Sequence, residues 1–574
     1  MDGDPAQADL RRARLDHEFD RTWNELTAPG ALFEVESIPV RGQELRHYVN
    51  APADARAMWA DAANWGSRTY LVYRDERVSY ARAWEITASV AAWLKAQGVR
   101  RGDRVAIAMR NYPEWLLIYW ACLSIGAAAV GINAWWIADE IAFALTDSAP
   151  KVVFCDAERL ERVTACGDAA RDVVVVAVRA EAVGNQIAWA TVLATPAVMP
   201  LAVLDPDDDA SILYTSGTTG VPKGAQLTHR GQINTLMNIA FATEVHAVAE
   251  RRARALDAPS PGVAVALVTT PLFHVTALGL AYAITAGGGT LVLMHKWDAG
   301  EALRLIEAER VTNLSGVPTI GRELVQHPRL LDHDVSSLGA IVGGGAPMPP
   351  DLIDKIERVD LPVRPHTGFG MTEASGAIAA AAGDYLVAKP ASCGRILPTF
   401  EHRIVDDEGR PCPPLSTGEL CIRGCGVIKG YINRPEATAD AIRDGWLHTG
   451  DIAWIDPAGF LHVVDRKKDM ILRGGENVYC AEVEAALLHH PAVIDACAFG
   501  VADERLGEEV GAAIQVREGA TLTGMELRSD AHERLAKYKV PRYLWLLSSP
   551  FPRNAAGKAL RRELRATLPV DEAV

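Results

Sequence analysis

The stretch that decides the interpretation of this chain is Tyr214-Thr215-Ser216-Gly217-Thr218-Thr219-Gly220-Val221-Pro222-Lys223-Gly224. Its glycines let backbone N–H groups turn toward an anion, and its hydroxyls and lysine add further donors. An apolar run, residues 212–214, precedes the loop, and helix-compatible polar sequence begins near Thr228, so we expect the loop at the end of a strand. The glycine spacing of the common P-loop is absent. The pattern predicts a phosphate-binding loop, with a solvated Ser/Thr/Gly turn as the alternative.

The bulk composition describes a globular protein with more than one core. The chain has 574 residues, of which 49% are hydrophobic and 23% charged, which suggests two to four domains or subdomains. Its formal net charge of -15 argues against a general binder of nucleic acid or anionic membranes, because those partners select a basic face. We therefore expect no nucleic-acid partner.

Cysteine usage bears on the cellular compartment of the protein, and hydropathy bears on whether the chain spans a membrane. The nine cysteines include no CxxC pair and no zinc-like spacing with histidine. Their odd number and the lack of an export signal predict a cytoplasmic protein. Two uncharged runs, residues 115–136 and 275–294, are long enough to span a bilayer, but glycines interrupt both. Each is predicted to form a buried helix followed by a buried strand, without a membrane span.

The order of predicted elements gives an α/β fold class. Helix, glycine and strand alternate through residues 104–178 and again through 271–343, which predicts a large N-terminal body of layered α/β subdomains. Near residue 400, short alternating strands indicate a small antiparallel β subdomain. A compact α+β unit follows a charged link at residues 466–469. The predicted domains are an N-terminal arm at 1–45, a large domain at 46–466 and a small C-terminal domain at 467–574.

Seven motifs then occur in a characteristic order. They are residues 214–224, 271–274, 367–373, 418–420, 446–451, 465–469 and 552–558. Their order and approximate spacing resemble the adenylate-forming superfamily, which includes acyl-CoA synthetases, peptide-synthetase adenylation domains and beetle luciferases. The resemblance covers roughly residues 60–570. It implies that a carboxylate and MgATP give an acyl adenylate and pyrophosphate, and that a thiol then takes the acyl group.

The resemblance also implies the nucleotide contacts. Residues 215–223 would hold the departing phosphates, Phe369 would stack on adenine in place of the usual tyrosine, Asp451 would accept from the ribose, and Arg466 would add a cation. As single residues, Asp451 and Arg466 are expected in turns, where surface ion pairs are common. The full set matched to ATP or AMP binding is Thr215, Ser216, Gly217, Thr218, Thr219, Gly220, Lys223, Thr367, Gly368, Phe369, Gly370, Asp451 and Arg466.

Four residues match the catalytic positions of the family. Thr372 would bind the α-phosphate, and Glu373 would hold magnesium, which prefers oxygen ligands. Lys558 would stabilise the charge shared between the carboxylate and the α-phosphate in the transition state. His274 would line the acyl site. Taken alone, Thr372-Glu373 could be a helix start, and Lys558 a solvated lysine of a charged C-terminal helix.

The C-terminal domain of this family is mobile. The residue that matches its hinge is Lys468, and Gly474 and Gly475 would leave room for the pantetheine arm of coenzyme A. The resemblance therefore implies that rotation of this domain replaces Lys558 by the glycine-bearing strand in the second half-reaction.

The acyl substrate is constrained by the Phe273-His274 pair. Amino-acid-activating members carry an acidic residue at the histidine position, so a substrate without an amine is favoured. The predicted pocket residues, His274, Gly344, Gly345 and Ala346, lie in small or apolar sequence. This predicts a hydrophobic acid: a medium- or long-chain fatty acid, an arylalkanoic acid or a steroid side-chain acid.

The thiol acceptor is predicted to be free coenzyme A. Fatty acyl-AMP ligases carry an obstructing insertion, and none is evident between Asp451 and Lys558; no carrier domain follows Lys558. The expected partners are thus a small carboxylic acid and coenzyme A, with a homodimer as an open alternative to a monomer. Two other functions stay open: an acyl-AMP ligase that delivers to a carrier protein, and a non-catalytic nucleotide-binding module.

Overall fold

A computed structural model of the chain describes residues 5–574 except 216–221, 257–261, 347, 360, 475 and 556, with side chains from residue 12 onward. The helices are α1 (Pro5–Thr27), α2 (Ala55–Ala62), α3 (Tyr80–Ala96), α4 (Pro113–Ser124), α5 (Ala138–Ser148), α6 (Ala157–Thr164), α7 (Trp189–Val192), α8 (His229–Arg254), α9 (Val275–Ala286), α10 (Ala299–Glu309), α11 (Pro318–Val325), α12 (Pro350–Arg358), α13 (Gly383–Ala388), α14 (Pro435–Ala441), α15 (Cys480–Leu487), α16 (Gly524–His532) and α17 (Arg561–Thr567).

The strands alternate with these helices in the first part of the chain and follow one another more closely after residue 360. They are β1 (Val35–Val40), β2 (Gln43–Tyr48), β3 (Thr69–Tyr73), β4 (Glu76–Ser79), β5 (Arg104–Ala108), β6 (Ala128–Gly131), β7 (Val152–Cys155), β8 (Val174–Ala177), β9 (Ile187–Ala188), β10 (Asp209–Thr215), β11 (Lys223–Thr228), β12 (Val265–Val268), β13 (Thr290–Leu293), β14 (Asn313–Gly316), β15 (Ala340–Gly343), β16 (Arg364–Met371), β17 (Gly376–Ala382), β18 (Arg395–Ile396), β19 (Phe400–Val405), β20 (Gly418–Gly424), β21 (Ile442–Arg443), β22 (Trp446–Ile455), β23 (Leu461–Arg466), β24 (Ile471–Arg473), β25 (Glu476–Val478), β26 (Val493–Asp503), β27 (Gly507–Val516) and β28 (Tyr543–Leu547).

Two layered sheets form the N-terminal body. One has the order β11-β10-β6-β5-β7-β8-β9 and the other the order β18-β17-β16-β15-β14-β12-β13-β3-β4. Neighbours from β12 to β16 run parallel, whereas β10–β11 and β16–β17 are antiparallel. One buried cluster joins side chains from both sheets with those of α4, α8 and α9. The carboxyl ends of parallel strands create the crevice where α/β proteins bind ligands.

Two smaller sheets complete the molecule. The first has the order β19-β20-β22-β21, with β23 paired to β22. The second has the order β25-β24-β27-β26, with β28 paired to β27, and α15 and α16 cover it with a separate core. The predicted α/β fold class is confirmed, including the antiparallel subdomain and the C-terminal α+β unit.

The N-terminal segment packs on the large body. Leu15 and Phe19 of α1 are buried, and the Tyr385 hydroxyl donates to the Leu15 carbonyl at 2.8 Å. The predicted division at residue 45 falls inside strand β2, which pairs with β1. The three domain ranges stay a prediction.

Local expectations can be compared with these elements. The uncharged runs form α4 with β6 and α9 with β13, as predicted. Across the described ranges, no helix combines the length and the apolarity that a membrane span requires. The helix expected near Thr228 is confirmed, and a strand that was not predicted, residues 223–228, precedes it, because β11 pairs antiparallel with β10. Helix α8 therefore begins at His229, and Thr228 caps it by accepting from the Gly231 N–H.

Candidate active site

The phosphate-loop candidate connects the edge strands β10 and β11. Thr215 ends the first strand and lies opposite Lys223, which begins the second. The predicted residues Ser216, Gly217, Thr218, Thr219 and Gly220 lie outside the described residues. The Thr215 hydroxyl lies 3.5 Å from Glu373 Oε1, so the base of the loop adjoins the predicted metal carboxylate.

Residues 367–373 lie at the end of β16 and in the turn that follows. A bulge between Phe369 and Gly370 changes the strand's register against β17. A Cβ on Gly370 would lie 2.2 Å from the Gly376 carbonyl oxygen, so this close backbone approach requires glycine. Thr372–Ala374 form a single 3₁₀ turn, which brings the Glu373 carboxylate toward the loop at 215–223.

Phe369, Thr367 and Gly368 lie on the strand that leads into this turn. Phe369 is half-buried against the hydrophobic cluster beneath the β19–β22 sheet, and Thr367 is buried. An aromatic ring that is partly covered on the strand keeps apolar surface available for a flat ligand. Its position is compatible with the predicted adenine contact.

Tyr431 is a site residue that the sequence analysis missed. Its hydroxyl donates to Glu373 Oε1 at 2.8 Å, and Lys223 Nζ lies 5.2 Å from the centre of its ring. Burial and the neighbouring Glu373 carboxylate raise the pKa of Tyr431, so its hydroxyl stays protonated and donates. The run Gly430-Tyr431-Ile432-Asn433-Arg434-Pro435, between two of the quoted motifs, was the available signal.

Asp451 and Arg466 form a pair on neighbouring strands. The expectation that they lie in turns was wrong: Asp451 is within β22, Arg466 ends β23, and the two are directly opposite each other. Arg466 Nε lies 2.8 Å from Asp451 Oδ1. Asp451 is 3% exposed, and its Oδ2 has no hydrogen-bond partner among the described residues.

The free oxygen of Asp451 is an acceptor without a donor. Burial raises the pKa of Asp451, while the cations of Arg466 and Lys558 oppose that rise. Because a buried acceptor that lacks a partner is costly, a ligand hydroxyl that donates to Oδ2 would relieve the cost. The carboxylate thus fits the ribose of a nucleotide.

Lys558 lies close enough to Asp451 and Arg466 to interact with both electrostatically. Loss of hydration lowers the pKa of Lys558, and repulsion from Arg466 and Arg561 lowers it further. The residue precedes α17, in a loop where Asn554 Oδ1 accepts from the Lys558 N–H at 2.9 Å. The alternative that placed it in a charged helix was therefore wrong.

The loop of Lys558 also meets the predicted acyl pocket. Gly557 has φ +83°, and a Cβ there would lie 2.9 Å from Val317 Cγ2 at the start of α11. Gly345 has φ +77°, and a Cβ there would lie 3.8 Å from the other methyl of Val317. The C-terminal unit therefore reaches the edge of the crevice in the N-terminal body.

His274 is the N-cap residue that immediately precedes helix α9. Its Nε2 is buried without a hydrogen-bond partner among the described residues, and burial lowers the pKa of His274 to about 4. The imidazole is therefore neutral at physiological pH. Two residues further on, the Thr276 methyl lies 3.3 Å from where a Cβ on Gly344 would be, so a larger residue there would crowd the wall. Ala346, after Gly345, is half-buried.

Asn111 is a second residue that the sequence analysis missed. Its Nδ2 donates to the Thr270 carbonyl at 2.9 Å, and its Oδ1 accepts from the Leu272 N–H at 3.0 Å. The residue follows β5 of one sheet, whereas the segment that it holds follows β12 of the other. This buried amide therefore fixes the approach to Phe273-His274 across the two sheets.

The predicted hinge residue lies between one neighbour that is paired within the N-terminal body and another that is paired within the C-terminal unit. Lys467 Nζ pairs with Asp407 at 2.9 Å, within the N-terminal body, and Asp469 pairs with Arg561 at 2.8 Å, within the C-terminal unit. Lys468, between them, is exposed, and its backbone N–H has no hydrogen-bond partner among the described residues. Gly474 has φ +58°, and Gly475 lies outside the described residues.

The donors near Glu373 suit magnesium. Proteins usually hold this ion through one or two carboxylates together with substrate phosphates, rather than through a complete protein cage. Within the part of the chain that the structure describes, no group of three or more His, Cys, Asp or Glu side chains could hold a metal. Glu373 uses one carboxylate oxygen to accept from Tyr431, so its other oxygen fits a magnesium ion that substrate phosphates also hold.

Comparison with known proteins identifies the family. The model described as AMP-binding enzyme matches residues 58–432, and that described as AMP-binding enzyme C-terminal domain matches residues 482–558. A feruloyl-CoA synthase from an Amycolatopsis species is 38% identical, over 85% of this chain and 93% of the relative. A 4-coumarate–CoA ligase from Oryza sativa subsp. japonica is 34% identical, over 89% and 91%.

A solved structure supports the same family assignment. The o-succinylbenzoate CoA synthetase from Bacillus subtilis, in complex with its acyl-adenylate intermediate, is 30% identical and superposes with a TM-score of 0.75. The match covers 88% of this chain and 97% of that one. The resemblance that the seven motifs indicate is thereby confirmed. The chain belongs to the AMP-binding enzyme family, as an AMP-forming acid–CoA ligase.

Proposed function

We propose that this chain converts an arylalkanoic or arylalkenoic acid to its coenzyme A thioester. The observation that carries the proposal is the neutral, unpartnered His274 nitrogen, two residues before Thr276, whose methyl adjoins Gly344. Glycine-lined backbone admits a flat ring at close range. The relatives whose names specify aromatic acids support the same choice. Fatty and steroid side-chain acids are the remaining hydrophobic classes.

The residues described above would divide the first half-reaction between them. A carboxylate oxygen attacks the α-phosphorus of ATP, and pyrophosphate leaves. Thr215, Lys223 and Thr372 would hold phosphate oxygens, Asp451 the ribose and Glu373 the magnesium ion. Lys558 would stabilise the negative charge that develops between the carboxylate and the α-phosphate. The remaining ATP-site assignments, Thr367 to Gly370 and Arg466, are part of the same proposal.

The second half-reaction requires a different surface at the acyl adenylate. The coenzyme A thiol attacks the acyl carbonyl, and AMP leaves with both electrons of the acyl–oxygen bond. We assign Lys468, at the start of the domain 467–574, as the hinge of the rotation that exposes the carbonyl. Gly474 and Gly475 would then lie beside the pantetheine arm. The body at 46–466 and the arm at 1–45 would stay fixed.

The function is tested by AMP formation from ATP, with and without coenzyme A, across fatty, arylalkanoic, arylalkenoic and steroidal acids. We expect turnover that depends on coenzyme A and is fastest with an aryl acid. Faster turnover of a fatty or steroidal acid would overturn the substrate class. An acyl adenylate that accumulates without coenzyme A turnover would indicate an acyl-AMP ligase for a separate acceptor instead.

Replacing Lys468 with proline is expected to separate the half-reactions. Proline fixes φ near -65°, so the hinge loses the torsion that rotation requires. Carboxylate-dependent pyrophosphate release should stay near normal, whereas thioester formation should slow about tenfold or more. Single-turnover measurement of each step checks this. Lys468→Ala, which leaves φ free, is the control, and normal thioester formation in Lys468→Pro would remove the hinge assignment.

A further inference from the structure

The segment that carries Tyr431 is fastened to both sides of the nucleotide site. The Ile428 N–H donates to the Glu373 carbonyl at 3.0 Å, and the Ile432 N–H donates to the Gly224 carbonyl at 2.8 Å. The Tyr431 N–H donates to Thr438 Oγ1 at 2.9 Å. The backbone around Tyr431 is therefore fixed relative to the residue that follows Lys223 and to Glu373 itself.

The Tyr431 hydroxyl restricts the Glu373 carboxylate. It donates to Oε1 at 2.8 Å, and Thr215 Oγ1 lies 3.5 Å from the same oxygen. Oε2 has no hydrogen-bond partner among the described residues. A hydrogen bond to one carboxylate oxygen selects a rotamer and leaves the other oxygen as a ligand for a hard cation.

The Tyr431 ring acts on a different group. Lys223 Nζ lies 5.2 Å from the ring centre, within the range of a cation–π interaction. Lysine has a long flexible side chain, and an aromatic face limits where its ammonium lies. The hydroxyl and the ring thus contact the two residues that would neutralise the triphosphate, one through the metal and one directly.

We propose that Tyr431 is a positioning residue that fixes the Glu373 carboxylate through its hydroxyl and the Lys223 ammonium through its ring. The inference rests on the proposed function only in requiring ATP and a divalent cation, and is independent of the acyl substrate. Neither role involves a proton transfer to substrate. The two parts of the side chain make separate contributions, so they can be removed one at a time.

Tyr431→Phe and Tyr431→Leu test the two contributions. Binding of Mn²⁺ to the enzyme in the presence of ATP is followed by electron paramagnetic resonance, and ATP binding without metal by calorimetry, both without a carboxylic acid. In Tyr431→Phe, we expect Mn²⁺ affinity to fall about tenfold, the effect of losing a hydrogen bond to a charged group, with metal-free ATP affinity unchanged. In Tyr431→Leu, both affinities should fall. Raised Mg²⁺ should restore pyrophosphate release in Tyr431→Phe.

The matched control is Tyr282→Phe, which removes another buried hydroxyl; its one hydrogen bond among the described residues is with Tyr119 in the core, at 3.0 Å. Unchanged Mn²⁺ affinity in Tyr431→Phe would overturn the positioning role. An equal loss of metal-free ATP affinity in that variant would do the same, since it would indicate general damage to the site. Failure of the unsubstituted enzyme to bind Mn²⁺ and ATP would contradict the proposed function itself.

Discussion

Replacing Lys558 with alanine is expected to lower carboxylate-dependent pyrophosphate release by about 10²- to 10³-fold, the usual effect of removing one preorganised donor from a developing oxyanion. The ammonium of Lys558 interacts electrostatically with the Asp451 carboxylate and the Arg466 guanidinium. A cation at this position stabilises the charge that forms at the α-phosphate in the transition state more than it stabilises the reactants. Stopped-flow measurement of pyrophosphate release checks this.

The same substitution should leave the second half-reaction nearly unchanged. With acyl adenylate supplied, thioester formation should not need Lys558, because the proposed domain rotation would remove it from the site. The matched control is Arg562→Ala, which removes an exposed cation from α17 and should leave both steps intact. An equal loss of both half-reactions in Lys558→Ala would refute the assigned role.

Much of the fold followed from local sequence. The uncharged runs at 115–136 and 275–294 each predicted a buried helix followed by a buried strand, and they form α4 with β6 and α9 with β13. Such features depend on neighbouring residues, so they are visible in the sequence. The strand β11 was missed because its pairing with β10 outweighs the weak strand preference of a segment that begins Lys-Gly.

The site was predictable as a set of motifs but not as a geometry. Asp451 and Arg466 were assigned to turns, because no local pattern shows that β22 and β23 set them opposite each other. Tyr431 was missed for the same reason: 58 positions separate it from Glu373, and only the fold brings the two together. Asn111 likewise acts across two sheets. Residues whose function depends on long-range pairing leave little local signal.

The N-terminal helix lies outside the region that the family model matches, yet it contributes to the main core. Phe19 of α1 is 1% exposed, and its ring lies 4.9 Å from Tyr385, 5.0 Å from His246 and 6.0 Å from Phe460. These three residues belong to three different parts of the body: the α13 helix, the central α8 helix and the segment before β23. The ring therefore packs where these elements meet, beside the direct contact of His246 with Tyr385, whose ring centres are 5.5 Å apart.

Phe19→Ala is accordingly expected to lower the free energy of unfolding by about 3–5 kcal/mol, because it opens a cavity that the surrounding rings cannot fill. Phe19→Leu, which retains most of the volume, should cost less. Thermal and chemical denaturation, followed by fluorescence, measure both. His17→Ala is the control, since the His17 side chain on the same helix is 74% exposed. If Phe19→Ala were no more destabilising than His17→Ala, the helix would be an appendage that the body does not need; a large loss would instead make residues 5–27 an integral part of the core.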